Sequence, residues 1–365
     1  MKRLISVVLI FALALSLASC KNQKAETPTV EKTIYEKTVE VIGSPEAEPI
    51  SQNPFCTILR VKETGVQVRY IEIEGVSDGE QVNIMQLTDV HLNALNERDK
   101  AENNPSVMSS YENREYCRDG ASLPKTQKVL EYAKYFDAVV ATGDNIDYLT
   151  WGSLELLKEN LFDKFDNLLV CLGNHEATRQ MTGTVSDTTS LESRLEILRE
   201  YWKHDLHYAS LIIKDRVMLI QLDNSRGKYL SGQAEKLEAD INKAREKGLT
   251  VLIFQHIPLS TRNPSDSYVL PMVLGNSVSG ENFYSEQIGA AGAKSDDATE
   301  KMYNLITTNA DVVRGVFCGH LHYDFQVEIN ASYKKNGETV KAVIPQVVLN
   351  QGFNTNGHFL SIVVK

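Results

Sequence analysis

The chain has 365 residues, is 42% hydrophobic and carries a formal net charge of −10 at pH 7. That length and apolar content suffice to bury a large core in one or two domains. The acidic balance argues against a general nucleic-acid binder, which needs a basic face. No internal repeat is visible, and no apolar run beyond the N-terminus is long enough to span a bilayer.

The chain begins with an export signature. Lys2 and Arg3 precede residues 4–17, apolar apart from Ser6 and Ser16, and Ala18-Ser19-Cys20 follows. A positive start, a short apolar run and small residues at a cleavage point describe a signal peptide over residues 1–19. Leu17-Ala18-Ser19-Cys20 also resembles the lipobox of bacterial lipoproteins, where the cysteine becomes the mature N-terminus and carries lipid. That resemblance implies a membrane partner through a lipidated Cys20 and a chain exported to the bacterial cell envelope. A plain secretory signal with an incidental cysteine is the competing reading. Residues 20–50 are rich in Lys, Glu, Thr and Pro and lack apolar periodicity, so they read as a solvated tether ahead of a folded domain over 51–365.

Beyond the tether, strands and helices alternate. Residues 66–74 and 82–87 read as strands, 123–136 as a helix, 137–142 as a buried strand and 151–165 as an amphipathic helix. A strand over 167–172 and a helix over 191–201 follow, then strands at 208–213 and 217–222. A helix over 234–247, a strand at 250–254, a helix over 299–308 and strands at 312–318, 325–329, 340–349 and 359–364 complete the chain. The early alternation favours parallel strands covered by helices, and the strand-rich end favours antiparallel pairing. Two packed mixed sheets flanked by helices satisfy both. Cys171 and Cys318 fall inside apolar strands and read as core residues. Cys56 and Cys117 lie in irregular segments, where a disulfide and two free thiols both remain open.

Five of the apolar strands are followed by metal-competent side chains. After 82–87 comes Asp89-Val90-His91, whose alternate spacing would put a carboxylate and an imidazole on one side of an extended backbone. Alone, such a pair describes a surface turn equally well. After 137–142 comes Gly143-Asp144-Asn145-Ile146-Asp147, which by itself also fits a strand-to-helix turn with its cap. Residues 167–172 end on the rarer string Gly173-Asn174-His175-Glu176. His256-Ile257-Pro258 follows 250–254, and Gly319-His320-Leu321-His322 follows 312–318. Open α/β sheets place their chemistry at such strand ends, and five coincidences of this kind specify a site jointly. His204, His207 and His358 have no such setting and read as surface or packing residues.

This ordered set resembles the calcineurin-like metallophosphoesterase superfamily, over roughly residues 82–322. The resemblance implies an α/β fold, a four-layer α-β-β-α sandwich of two mixed β-sheets flanked by helices. It also implies two divalent metal ions, one held by Asp89, His91, Asp144 and His322 and the second by Asp144, Asn174, His256 and His320. His175 would protonate the leaving oxygen, oriented by Asp147. Physical chemistry asks for much the same: two cations roughly 3.5–4 Å apart clamp a phosphoryl group and lower the pKa of a shared water to give hydroxide. An all-N/O donor set of imidazole and carboxylate suits Mn, Fe, Zn, Ni or Co better than Mg or Ca.

Departures narrow the likeness. Tyr148 stands where protein Ser/Thr phosphatases have arginine, and Asp147 stands where purple acid phosphatases have the tyrosine of their coloured centre. The last predicted strand ends at residue 364, so the extra C-terminal domain of the large 5′-nucleotidases is not expected, and a distant likeness to the sphingomyelinase-type branch remains. Residues 93–122, with Tyr111, Arg114, Tyr116 and Arg118, and residues 260–297, with Tyr268, Phe283 and Tyr284, read as long loops that shape specificity. Disordered surface insertions are the alternative for both. Arg179 lies close enough behind His175 to steady a phosphate oxygen, or is an exposed loop residue. The expected function is hydrolysis of a phosphomonoester or phosphodiester, including a lipid-head-group or nucleotide diester, at the cell envelope. The rival is an inactive metal- or ligand-binding surface lipoprotein of the same fold, which would be expected to have lost a ligand or the proton donor; none is missing.

Overall fold

A strand buried on both faces must be largely apolar on both, with odd and even residues entering different cores. The computed structural model, which describes residues 33–43, 46–50, 56–102, 105–178, 191–262 and 296–365, shows this for the central strands. In chain order the elements are α1 (Ile34–Ile42), β1 (Ala47–Pro49), β2 (Ile58–Val61), β3 (Gln67–Ile73), β4 (Val82–Leu87), α2 (Glu97–Glu102), α3 (Pro105–Glu112), α4 (Leu123–Leu130), β5 (Ala138–Thr142) and α5 (Trp151–Leu157). There follow β6 (Leu168–Cys171), α6 (Asn174–Thr178), α7 (Leu191–Tyr201), β7 (Tyr208–Ile213), β8 (Val217–Leu222), α8 (Gln233–Lys247) and β9 (Thr250–Phe254). The last are α9 (Asp297–Thr307), β10 (Val313–Cys318), β11 (Phe325–Lys335), β12 (Glu338–Val348) and β13 (His358–Val364).

The strands form two mixed sheets, ordered β1-β2-β3-β13-β4-β5-β6 and β11-β12-β10-β9-β8-β7. Ile84, Val140 and Leu169 of the first sheet meet Leu219, Phe254 and Phe317 of the second in a central core. Their neighbours Met85, Val139 and Val170 face the other way, onto Val129 of α4, Leu154 of α5 and Leu198 of α7. On the far side Met218, Ile253 and Val316 pack on Leu237 and Ile241 of α8 and Met302 and Ile306 of α9. Helix, sheet, sheet and helix thus stack as the four layers expected. β4, β5 and β6 run parallel, as do β9 and β10, so the ends that carry the five motifs share one edge.

The final strand is placed non-locally. β13 sits inside the first sheet, parallel to β3 and antiparallel to β4. Arg69 of β3 crosses to the second sheet, donating to the carbonyls of Phe325 (3.1 Å) and Val348 (2.9 Å), 3.8 Å from Asp324. Asp324 in turn holds His358 at 3.0 Å.

Several expectations are corrected. The tether expected over residues 20–50 does not extend that far, because α1 and β1 belong to the folded body. Ile42 and Thr38 are buried, β1 pairs with β2, and Lys37 reaches Glu72 of β3 at 3.0 Å. An amphipathic nine-residue helix carries too few apolar positions to announce itself beside Lys- and Glu-rich neighbours. Segment 93–122 is not a bare loop but contains α2, α3 and a 3₁₀ turn at Arg118–Gly120. Cys56 and Cys117 carry free thiols, so the disulfide left open is not formed. Residues 1–32, Arg179 and most of segment 260–297 lie outside the described residues. Among the described residues no helix is long and apolar enough to cross a membrane.

Candidate metal centre

Three of the five motif loops leave their strands with left-handed backbone conformations that bring donors back toward one point. Asp89, His91, Asp144, His320 and His322 all have positive φ, between 47° and 71°. Non-glycine residues rarely adopt that region, at a cost of roughly 1 kcal/mol or more each, so their concentration here marks a site where surrounding bonds over-determine the chain. Those bonds are visible: the amides of Asp89 and His91 donate to the carbonyls of Gly143 and Asp144 (3.0 Å each), and the amide of His320 donates to Asp89 Oδ2 at 3.0 Å. The extended alternation expected of Asp89 and His91 is therefore not what puts them together; left-handed turns do. Gly143 is required twice, by its φ of 90° and because a Cβ there would lie 2.6 Å from the His256 ring.

All seven expected ligands converge. Asp89, His91, Asp144 and His322 present donor atoms within 4.8 Å of one another, and so do Asp144, His256 and His320. Asn174 Oδ1 lies 3.0 Å from His256 Nε2, and His320 Nδ1 lies 3.2 Å from the same nitrogen. Asp144 joins the two groups through one oxygen: Oδ2 is 3.9 Å from His91 Nε2 and 3.4 Å from His256 Nε2. Its Oδ1 accepts from the amide of His175 at 2.9 Å.

This donor set fits two cations. His91 Nδ1 faces the Asp147 carboxylate at 2.9 Å and His256 Nδ1 faces the Thr142 carbonyl at 2.8 Å. Each neutral ring therefore carries its proton on Nδ1 and turns an Nε2 lone pair into the cluster. His91 Nε2 meets His322 Nε2 at 3.3 Å, and His256 Nε2 meets the Asn174 carbonyl oxygen. Acceptors facing acceptors at such distances repel unless a cation or a proton lies between them. The local field favours positive charge. Burial opposes a proton on His256, but the Asp144 and Asp89 carboxylates overcome it and raise that imidazole to about 10. Asp89, pushed up by burial, is pulled down to about 2 by His322 and His256, and Asp144, also pushed up by burial, is drawn well below the carboxylate range by His256, His175 and His91. Metal entering such a site displaces protons.

Behind the donors stand groups that orient them. His175 Nδ1 faces the Asp147 carbonyl at 2.7 Å and Oδ1 at 3.1 Å, which turns Nε2 into the cluster, 3.8 Å from Asp144 Oδ2. Asp147 thus contacts His175 through both its carbonyl and its carboxylate, and contacts His91 as well. Two further residues escaped the sequence reading. Arg114 forms a two-pronged pair with Asp147, Nε to Oδ2 at 2.8 Å and Nη2 to Oδ1. Glu176, fully buried, accepts from the backbone amides of Asp144 (3.1 Å), Asn145 (2.6 Å), Ile146 (3.1 Å) and Gly173 (2.7 Å). It ties the Asp144 loop to the Asn174 loop, and burial with the neighbouring Asp144 pushes its carboxyl up to about 7. Its place in the string Gly173-Asn174-His175-Glu176 was the available signal. His358 pairs with Asp324 in the core, and His204 accepts from the Val170 amide, so neither joins the cluster.

The calcineurin-like phosphoesterase family profile matches residues 82–324. No curated protein sequence matches the chain. Among solved structures, a dimetal phosphatase from Danio rerio is similar with a TM-score of 0.42 and 12% identity, over 74% of this chain and 88% of that one. A purple acid phosphatase from yellow lupin (Lupinus luteus) gives 0.43 and 13%, over 85% of this chain but 57% of the lupin chain, so the present chain spans little more than half of it. A calcineurin-like phosphoesterase from Bacillus subtilis gives 0.31 and 13%, over 75% of this chain and 91% of that one. With the family match covering more than half of its length, the chain belongs to the calcineurin-like phosphoesterases and is a metal-dependent phosphoesterase.

Proposed function

We propose that the chain hydrolyses a phosphomonoester or phosphodiester at the cell envelope, held there by lipid on Cys20. Asp89, His91, Asp144 and His322 would hold one divalent cation, and Asp144, Asn174, His256 and His320 the other. Bound there, the cations would supply charge to the phosphoryl oxygens and acidify a water. His175 does the remaining work. With Nδ1–H held by Asp147, its Nε2 faces the cluster and can carry the proton that a departing alkoxide needs. Burial of His175 and Asp147 excludes water around this pair and strengthens its charge interaction. The observation that carries this reading is the convergence of seven donors from five separate loops on two overlapping groups joined by Asp144 Oδ2. The intact donor set favours an enzyme over an inactive binding lipoprotein. The envelope location rests on the sequence of residues 1–20, where a basic start and apolar run end on Leu17-Ala18-Ser19-Cys20.

The test strips the chain with EDTA, restores Mn and follows release from mono- and bis-nitrophenyl phosphate and from an alkyl phosphate. His175→Ala should keep metal and lose about 10²–10⁴-fold on the alkyl ester. Asp144→Asn should lose metal as well. Full activity in both variants, or undiminished turnover without metal, would overturn the assignments. Mass spectrometry of the mature N-terminus tests the anchor: lipid on Cys20 supports it, and an unmodified or uncleaved terminus refutes it.

A further inference from the structure

Asp147 reaches the donor cluster through the rings of His91 and His175, yet it is gripped from a segment that none of the motifs includes. Arg114 donates Nε to Asp147 Oδ2 at 2.8 Å and Nη2 to Oδ1. The same Oδ1 lies 2.9 Å from His91 Nδ1 and 3.1 Å from His175 Nδ1. Asn93 and the Tyr116 hydroxyl add contacts to this carboxylate, each at 3.4 Å. The arginine is itself held. Its guanidinium lies over the rings of Tyr116 (4.7 Å) and Tyr148 (5.6 Å), the residue that stands directly after Asp147. Tyr116 stacks on Phe353 at 4.7 Å, and Phe353 presents its face or edge to His91 (5.3 Å) and His322 (5.6 Å). The segment is closed by Gly120 N donating to Asn93 O (2.8 Å) and braced within by Tyr111 Oη donating to Asp119 (2.8 Å).

We propose that Arg114 is a positioning residue for this reaction: by fixing the plane of the Asp147 carboxylate it sets His175, the proton donor, and His91, a metal ligand, together. The argument rests on the phosphoesterase reading above. A carboxylate turns easily about its terminal torsion, and two imidazoles sharing one oxygen do not define its plane. A planar guanidinium bonding both oxygens does, which a lysine cannot reproduce. With Nε and Nη2 committed to Asp147, the fork acts through that carboxylate.

The test compares wild type, Arg114→Ala and Arg114→Lys on an alkyl ester, whose leaving oxygen needs a proton, and on the matching nitrophenyl ester, whose leaving group departs as an anion. Arg114→Ala should lower kcat on the alkyl ester about 10–100-fold and Mn affinity, read by calorimetry, by a similar factor. KM should hold, the nitrophenyl ester should suffer much less, and added guanidinium should restore part of the loss. Arg114→Lys should fall between the two, with circular dichroism and melting near wild type. An equal loss on both esters with a raised KM would overturn the proposal in favour of direct phosphate binding. Unchanged kcat and Mn affinity would overturn it in favour of a bystander. If wild type hydrolyses no ester with any metal, the phosphoesterase reading fails by itself, and the calorimetry still decides whether Arg114 supports His91.

Discussion

Gly319→Ala adds one methyl group where the two sheets meet at the metal centre. The φ of Gly319 is not in the left-handed region, so the contact of the new Cβ decides the outcome. That atom would sit 1.8 Å from Thr88 Oγ1, 2.9 Å from Thr88 Cβ and 2.3 Å from Asp89 Oδ2. Ordinary contact needs about 3.5 Å, so something must move by more than an ångström. Thr88 cannot swing away freely, because its hydroxyl donates to Asp89 Oδ2 at 2.6 Å. Asp89 is held by the His320 amide at 3.0 Å and faces His322 Nε2 at 3.1 Å. The displacement therefore falls on a ligand carboxylate. Overpacking of this kind costs about 1–3 kcal/mol, a melting decrease of roughly 1–4 °C for a domain of this size. Misplacing a ligand by about 1 Å costs function more, about 10²-fold in kcat/KM. Calorimetric Mn titration, alkyl-ester turnover and thermal melting of the same preparation separate the two effects. Wild-type Mn affinity and turnover in a folded Gly319→Ala variant would refute the packing of Asp89 described here.

Two further predictions probe the supports. Glu176→Ala leaves four buried amides without their acceptor, at about 1–3 kcal/mol for each orphaned group, so chemical denaturation should show a loss of at least about 4 kcal/mol; near wild-type stability would contradict the role of Glu176 in joining the loops. Glu72, raised by burial but drawn down to about 2 by Lys365, Tyr70 and Lys37, anchors α1 and the final lysine to β3. Its folded value lies below its ordinary 4.5, so its contribution is full above pH 4.5 and is lost as pH falls toward 2. The melting difference between wild type and Glu72→Gln should be present at pH 7 and narrow below pH 4.5; a difference independent of pH would exclude the ion pairs as its cause.

What the sequence revealed and what it concealed follow from the range of the interactions. The runs at Val82–Leu87, Ala138–Thr142 and Leu168–Cys171 are apolar at nearly every position because each side faces a different core, and that pattern is local. The ligands were legible because each stands immediately after such a run. The left-handed backbone at Asp89 and His91 was not, since the carbonyls of Gly143 and Asp144 that accept from their amides lie more than fifty positions away. Arg114 precedes Asp147 by 33 positions and looked like one loop arginine among several; only the fold shows which one reaches the site. The insertion of β13 between β3 and β4, and the docking of α1 through Ile42 and Lys37, likewise depend on pairings that leave no periodic mark.

The central claim is that these seven donors hold two cations around one shared carboxylate. Anomalous diffraction from crystals grown with Mn measures this directly. The account predicts two peaks, one among Asp89, His91, Asp144 and His322 and the other among Asp144, Asn174, His256 and His320. A single peak, or metal bound anywhere else, would contradict it.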